Sequence, residues 1–293
     1  CADGYNLSED RYGDCQVLFP VRLVWEILCS VSIDEFSPYY SVCQRRKSNI
    51  VFEKRIKVNV MSVSLIVPLC ADKPEYEYNL PYLFNFSPDG LSLCIKSVQG
   101  LSLDRFDAIY FTILEKWDDK YCLSDLLRLQ FRKLNWTKAK VVVLDTPTSC
   151  QAETVYQTIK RENIEGCIFI KDADGYFTSD FTLCNSIAIY PLDRLEMVNP
   201  GNKSYVELDD QFYITNIIEK KIISRYFNAG AYIFEDSTVF CKYFEKLSCY
   251  KNLFMSHVVY FMLLDKILFR PFIVKDFEDW GSNKAYNYFV TNK

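Results

Sequence analysis

Cys167-Ile168-Phe169-Ile170-Lys171-Asp172-Ala173-Asp174-Gly175 decides how this chain is read. Cys167 to Ile170 form a short apolar run that ends abruptly in charge, the pattern of a parallel strand buried on both faces. Two carboxylates follow, one alanine apart, and a glycine closes the stretch. In open α/β sheets, ligands collect beyond the carboxyl ends of the strands. Acids at such an edge supply hard oxygen ligands, which suit Mg2+ in company with phosphate. Asp172 and Asp174 equally suit a turn or a helix cap, where Asp is common.

Working outward, the same kind of run recurs. Residues 63–68, 107–113 and 140–145 each predict a buried strand. Between the last two, Leu123, Leu126, Leu127, Phe131 and Leu134 make a helical stripe. A second stripe, Ala152, Val155, Tyr156 and Ile159, follows Thr148 and Gln151 at capping-box spacing. Alternation of strands and helices predicts a parallel sheet with right-handed crossovers. Beyond Asp174, strands are predicted over 186–190, 204–208, 213–218, 230–234 and 271–274, with helices over 237–247 and 256–267. The second of these helices is apolar nearly all round and is expected to be buried. The fold class expected is α/β, a Rossmann-like three-layer α/β/α arrangement with a mostly parallel central sheet.

Composition narrows the function classes. The 293 residues are 49% hydrophobic, ample for a full core. A net charge of −4 gives no support to a nucleic-acid-coating surface. The 12 cysteines include no CxxC pair, and a chain of this size needs no disulfides. Buried free thiols are ordinary, so a reducing, cytoplasmic compartment is expected. The apolar stretch 17–33 carries Arg22 and Glu26 and is too short and polar for a membrane span. It starts too late, behind acidic residues, for a signal peptide. Residues 1–60 differ from the rest: Arg45, Arg46, Lys47, Lys54, Arg55 and Lys57 oppose Glu53 alone. They are expected to be an appended segment or linker with a solvated basic patch, with 61–293 as the main domain. A phosphate- or membrane-facing role is the alternative for the patch.

Six short motifs in order carry a resemblance. They are Gln151-Ala152-Glu153-Thr154, Ile170-Lys171-Asp172-Ala173-Asp174, Asn202-Lys203-Ser204-Tyr205, Ile218-Glu219-Lys220, Asn228-Ala229-Gly230-Ala231-Tyr232 and Asp279-Trp280-Gly281-Ser282. Over about residues 62 to 290, the chain resembles the sugar-1-phosphate nucleotidyltransferases, proteins of the nucleotide-diphospho-sugar transferase type. The resemblance implies a domain that joins a nucleoside triphosphate to a phosphorylated small-molecule acceptor and releases pyrophosphate. It implies that Asp174 and Asp279 hold Mg2+, with Asp172 beside them. It implies that Lys220 meets the acceptor's phosphate and that Glu219 holds sugar hydroxyls. Gln151 stands where the family reads the base, although it also fits a capping box. Asn228 and Gly230 would bring backbone close to the acceptor, since glycine lacks a Cβ; a bulge before a strand is the plainer account.

The chain also departs from that pattern. After the first strand the family carries a glycine-rich loop with an arginine; here Leu69-Cys70-Ala71-Asp72-Lys73-Pro74-Glu75-Tyr76 has neither. Lys73 is the one cation there, and Asp72, Glu75 and Glu77 would repel a triphosphate. The family's Pro-Lys is Pro81-Tyr82, and the glycine before Gln151 is Cys150. Weakened nucleotidyl transfer is therefore expected. Two alternatives stand: an inactive relative that binds a nucleotide sugar, and a metal-dependent glycosyltransferase using Asp-x-Asp. The second leaves Glu219-Lys220 and Asp279-Trp280-Gly281 unexplained. His257, the one histidine, is expected to serve a helix start. No GxSxG, Walker loop or HExxH occurs.

Overall fold

A computed structural model describes residues 44–46, 49–51, 61–194 and 200–292. The contacts divide the chain into two units. In the first, β1 (Gln44–Arg46) and β2 (Asn49–Val51) pair as an antiparallel hairpin. The stretch 17–33 and Lys47, Lys54, Arg55 and Lys57 of the basic patch lie outside the described residues.

The second unit, Val60–Lys293, is built on one large sheet. β3 (Val63–Pro68), β4 (Ala108–Leu114), β5 (Ala139–Leu144) and β6 (Cys167–Lys171) lie parallel in the order β5-β4-β3-β6. Their side chains alternate between two cores. Val63, Leu65, Val67, Cys167 and Phe169 face one core, while Ile66, Ile168 and Ile170 face the other. A strand covered on both faces must be apolar at successive positions, which is why these runs stand out in the sequence.

Helices supply the covers. α1 (Leu93–Lys96), α2 (Glu115–Tyr121) and α3 (Leu123–Lys133) pack on the first core through residues such as Ile95, Trp117 and Phe131. α4 (Gln151–Glu162), α5 (Ser237–Leu247) and α6 (Met255–Leu264) pack on the second through Val155, Phe240 and Val259. This is the expected three-layer arrangement. At the start of α6, His257 Nδ1 accepts the Phe254 N–H at 3.2 Å, the helix-start role expected of it.

Beyond β6 the sheet turns antiparallel. β9 (Ser204–Leu208) and β10 (Ile214–Glu219) extend it past β11 (Tyr226–Phe234), which pairs antiparallel with β6. β8 (Ser186–Pro191) lies against β11, and β12 (Arg270–Ile273) runs parallel to β8. The predicted strand 230–234 is therefore the end of a longer one. Two strands stand apart from the large sheet: β7 (Gly175–Thr178) and β13 (Lys275–Asp279) form an antiparallel ribbon. α7 (Asn283–Asn292) follows it. No helix among the described residues is long and apolar enough to cross a membrane. The described cysteines are free thiols.

One local expectation is corrected. Thr148 and Gln151 do not form a capping box. Cys150 is the N-cap of α4, and its side chain makes no cap bond. Instead Glu153 reaches back to the Ser149 N–H at 2.6 Å, and Thr148 Oγ1 pairs with Thr154 Oγ1 at 2.6 Å. The helix start is held without Gln151, whose amide is free to point elsewhere.

Candidate functional site

The carboxyl ends of the parallel strands open onto a cavity of about 160 Å3. β6 ends at Lys171, so Asp172 and Asp174 emerge at that edge. The ribbon explains how a distant acid joins them. In the β7–β13 register, Asp279 pairs with Gly175, next to Asp174. The Trp280 N–H then donates to the Asp174 carbonyl at 2.7 Å. Trp280 is buried between Tyr176 and Phe289, and the Tyr82 hydroxyl donates to its carbonyl. The Asp-Trp-Gly-Ser stretch is thus anchored on both sides of the acid.

Gly281 leaves the gap that the two carboxylates face. A Cβ there would lie 3.0 Å from Asp174 Oδ2 and 3.1 Å from Asp279 Oδ1. Its N–H donates to Asp279 Oδ1 at 2.9 Å. Two carboxylate oxygens converging on one small space fit a divalent cation. Among the described residues, no group of three His, Cys, Asp or Glu side chains gathers as a complete metal site. Further ligands would have to come from substrate phosphates and water, as magnesium sites commonly arrange them.

Asp172 is fixed from several directions. Its carboxylate accepts from Gln151 Nε2, and its N–H donates to the Gly230 carbonyl at 2.8 Å. Burial, and then the Asp174 charge, raise its carboxyl above the ordinary value; Lys171 and the Gln151 hydrogen bond pull the other way. Gly230 has φ +81°, and a Cβ there would meet Asp172 Oδ2 at 2.9 Å. Asn228 Oδ1 accepts the Gly230 N–H at 2.8 Å, holding the turn. The β11–β8 register shifts between Asn228 and Tyr232, so the bulge is present and also lines the cavity.

Glu219 closes another side, with Ser256 Oγ donating to its Oε2 at 2.7 Å. Thus Gln151, Asp172, Asp174, Glu219, Asn228, Gly230 and Asp279 are all brought together. The two lysines expected with them are not. Lys220, with φ +56°, lines an adjoining cavity of about 500 Å3 that also contains Gln151, and its Nζ stands 4.6 Å from the Phe254 ring centre. Lys73 is exposed and lines a third cavity of about 670 Å3, shared with Gly281 and Ser282. The acids near Lys73 are also less repulsive than expected. Lys116 pairs with Asp72 at 3.4 Å and Glu77 at 2.9 Å, and Lys120 pairs with Glu77 at 3.0 Å.

Two further lysines belong to the site. Lys171 is fully buried, and its Nζ donates to the Asp172 carbonyl at 2.6 Å and the Gly175 carbonyl at 2.9 Å. It ties both ends of the Asp172–Gly175 turn together. Desolvation pushes its pKa down to about 8, against the pull of Asp172 and Asp174. A lysine closing an apolar strand run was its visible signal. Lys203, just before β9, lies 2.6 Å from Asp279 Oδ2. It stands within the Asn202-Lys203-Ser204-Tyr205 motif, but nothing in the sequence pairs it with an acid so far along the chain.

No family model matches this sequence, and no curated protein matches it. Solved structures do. A nucleoside-diphosphate-sugar pyrophosphorylase from Vibrio cholerae superposes with TM-score 0.65 at 14% identity, over 78% of this chain and 99% of its own. The inositol-1-phosphate CTP transferase of T. maritima gives 0.62 at 16%, over 80% and 96%. This chain has the nucleotide-sugar transferase fold. A UDP-glucose pyrophosphorylase complexed with UDP-glucose has the same fold, with TM-score 0.58 at 13% identity, over 79% of this chain and 98% of its own.

Proposed function

We propose that this cavity binds a nucleotide beside a phosphorylated small molecule, of the sugar-1-phosphate kind, and joins the two with release of pyrophosphate. One observation carries the reading: Asp174 and Asp279, far apart in the chain, meet Gln151, Glu219 and Gly230 around a single cavity. The fold shared with known nucleotidyltransferases supports it.

In an in-line transfer, an oxygen of the acceptor's phosphate attacks the α-phosphorus, and the bond to pyrophosphate breaks. Positioning and charge neutralisation do most of this chemistry. Glu219, oriented by Ser256, accepts hydrogen bonds from acceptor hydroxyls. Lys220, in the adjoining cavity, suits the acceptor's phosphate as a compact cation. Gln151 lines both cavities and is the group that would read the base. Gly230 lets β11 pass close to Asp172, whose carboxylate takes the space a Cβ would fill. Magnesium, held by Asp174 and Asp279, would neutralise the charge that develops on the α-phosphate.

The loop Leu69 to Tyr76 sets the expected rate. Lacking glycine and arginine, it offers neither a close amide cradle nor a bidentate clamp for a triphosphate. Turnover well below the ~10 per second of a median enzyme is expected. The same loop favours the second reading, a relative that binds a nucleotide sugar without making one. The deciding measurement is pyrophosphate release with each of four nucleoside triphosphates, sugar 1-phosphates and magnesium, beside thermal shifts with nucleotide sugars. Slow release supports transfer. Shifts with nucleotide sugars and no release support the binding protein. Silence in both assays would overturn both readings.

A further inference from the structure

Lys203 occupies an unusual position for a lysine. Its Nζ lies 2.6 Å from Asp279 Oδ2, and the two side chains are only 19% and 16% exposed. The rings of Phe227 and Phe277 stand 5.9 and 5.8 Å from the same ammonium. A pair this sheltered is not a loose surface contact, and salt screens it weakly. Both Asp279 oxygens are thereby engaged, Oδ1 by the Gly281 N–H and Oδ2 by Lys203. The acid proposed to hold a divalent cation already has a cation.

Two more observations bear on what that means. The described residues provide no third acidic, histidine or cysteine ligand to complete a metal site. A dication entering alone would gain two carboxylates at most and would meet the ammonium at close range. Lys203 also lines the cavity. An ammonium has three donors, so one that leaves a carboxylate can turn to another oxygen anion.

We infer that Lys203 is a resident counter-ion of Asp279 that keeps a free divalent cation off this acid, and that its ammonium transfers to a phosphate oxygen when metal and phosphate ligand enter together. Lys203 is then a positioning residue for metal loading and a phosphate-binding residue in the loaded site. The exclusion rests only on the geometry of this pair. The transfer to phosphate rests on the nucleotide reading above.

The test uses the full chain, with Mn2+ as the ion and inorganic pyrophosphate as the ligand, so that no choice of base enters. Free Mn2+ is measured by electron paramagnetic resonance, and pyrophosphate binding by calorimetry. Without pyrophosphate, Lys203→Met should bind Mn2+ at least about tenfold more tightly than the native protein, the lower end of what groups beside a metal ligand commonly contribute. Adding Asp279→Asn to that variant should remove the gain, and Lys203→Arg should exclude Mn2+ as the native protein does. With saturating pyrophosphate, and against a protein-free titration that accounts for the Mn2+ that pyrophosphate itself chelates, the native protein should bind Mn2+ at least about tenfold more tightly than without it. This last measurement needs no variant to fold. Equal Mn2+ affinity in the native protein and Lys203→Met overturns the exclusion. Native Mn2+ binding indifferent to pyrophosphate, or pyrophosphate binding undiminished in Lys203→Met, overturns the transfer. None of these titrations uses a nucleotide. A protein that releases no pyrophosphate from triphosphates would therefore fail the functional reading while leaving the exclusion to stand or fall separately.

Discussion

Replacing Lys171 with Met should produce a stability difference that depends on pH. The lysine is fully buried and donates to two carbonyls at 2.6 and 2.9 Å. Methionine removes both bonds, and each buried carbonyl left unpaired costs about 1–3 kcal/mol. It also removes a buried ammonium whose pKa is lowered from 10.5 to about 8, chiefly by desolvation. At about one pKa unit per 1.4 kcal/mol, that burial opposes folding by roughly 3 kcal/mol near neutral pH. The lost bonds cost about 2–6 kcal/mol and the relieved burial returns roughly 3, so the variant should lie between about 1 kcal/mol more stable and about 3 kcal/mol less stable than the native protein at pH 7. Above about pH 8 the folded lysine loses its proton, while the unfolded chain keeps it up to 10.5. The unfolded state then binds more protons, so native stability rises with pH across this window. That advantage is absent below the folded pKa. The methionine variant has no such group. Between pH 7 and about pH 9.5 the native protein should gain about 2 kcal/mol on the variant. Urea unfolding followed by tryptophan fluorescence at both pH values measures this, and other titrating groups largely cancel in the difference. A difference that stays flat with pH would refute the account of Lys171 as a charged, desolvated clamp.

Two other outcomes are expected. Gly281→Ala places a methyl 3.0 Å from Asp174 Oδ2 and 3.1 Å from Asp279 Oδ1; it should weaken Mn2+–pyrophosphate binding by about tenfold, and unchanged calorimetric affinity would show that the gap at Gly281 is not where the ion sits. A fragment beginning at Met61 should fold alone with the melting temperature of the full chain, and limited proteolysis of the full chain should cut between Arg45 and Lys57; an insoluble or unfolded fragment would place the domain boundary elsewhere.

The parallel half of the fold was legible in the sequence because burial on both faces leaves unbroken apolar runs. Residues 63–68 are β3 as predicted, and β4 and β5 lie within a residue of their expected spans. The β7–β13 ribbon was not legible. Its strands have 4 and 5 residues, and its register is broken between Lys275 and Glu278. Lys275, Asp276 and Glu278 make its second strand look like a loop, and the apolar signal is confined to Phe277. α7 carries Asn283 and Asn287 among aromatics, with no clear stripe to mark it. In the site, Asp172, Asp174 and Glu219 could be named because each follows or ends a recognisable strand, and Asp279 through the Asp279-Trp280-Gly281-Ser282 motif. Their convergence could not, since only the fold brings them together. Gln151 fitted two roles equally; the helix start does not use it, and its amide donates instead to Asp172, a contact that no local pattern encodes. Lys203 was hidden for the same reason: its partner is set by tertiary contact, not by spacing.

The β7–β13 ribbon also orders events during synthesis. Its first strand emerges with the parallel half of the sheet, but its second follows β12. A growing chain that has released residues only through Ile273 has most of the large sheet and the Asp172–Asp174 turn, yet lacks Asp279, Trp280 and Gly281. Domains begin to organise before translation ends. On such an intermediate, Lys203 has no carboxylate to meet from the ribbon, and Asp174 faces the gap alone. A ligand that needs both acids, as the proposed function has it, finds its complete site only once the second ribbon strand has docked, and would stabilise the fold by mass action from that point on.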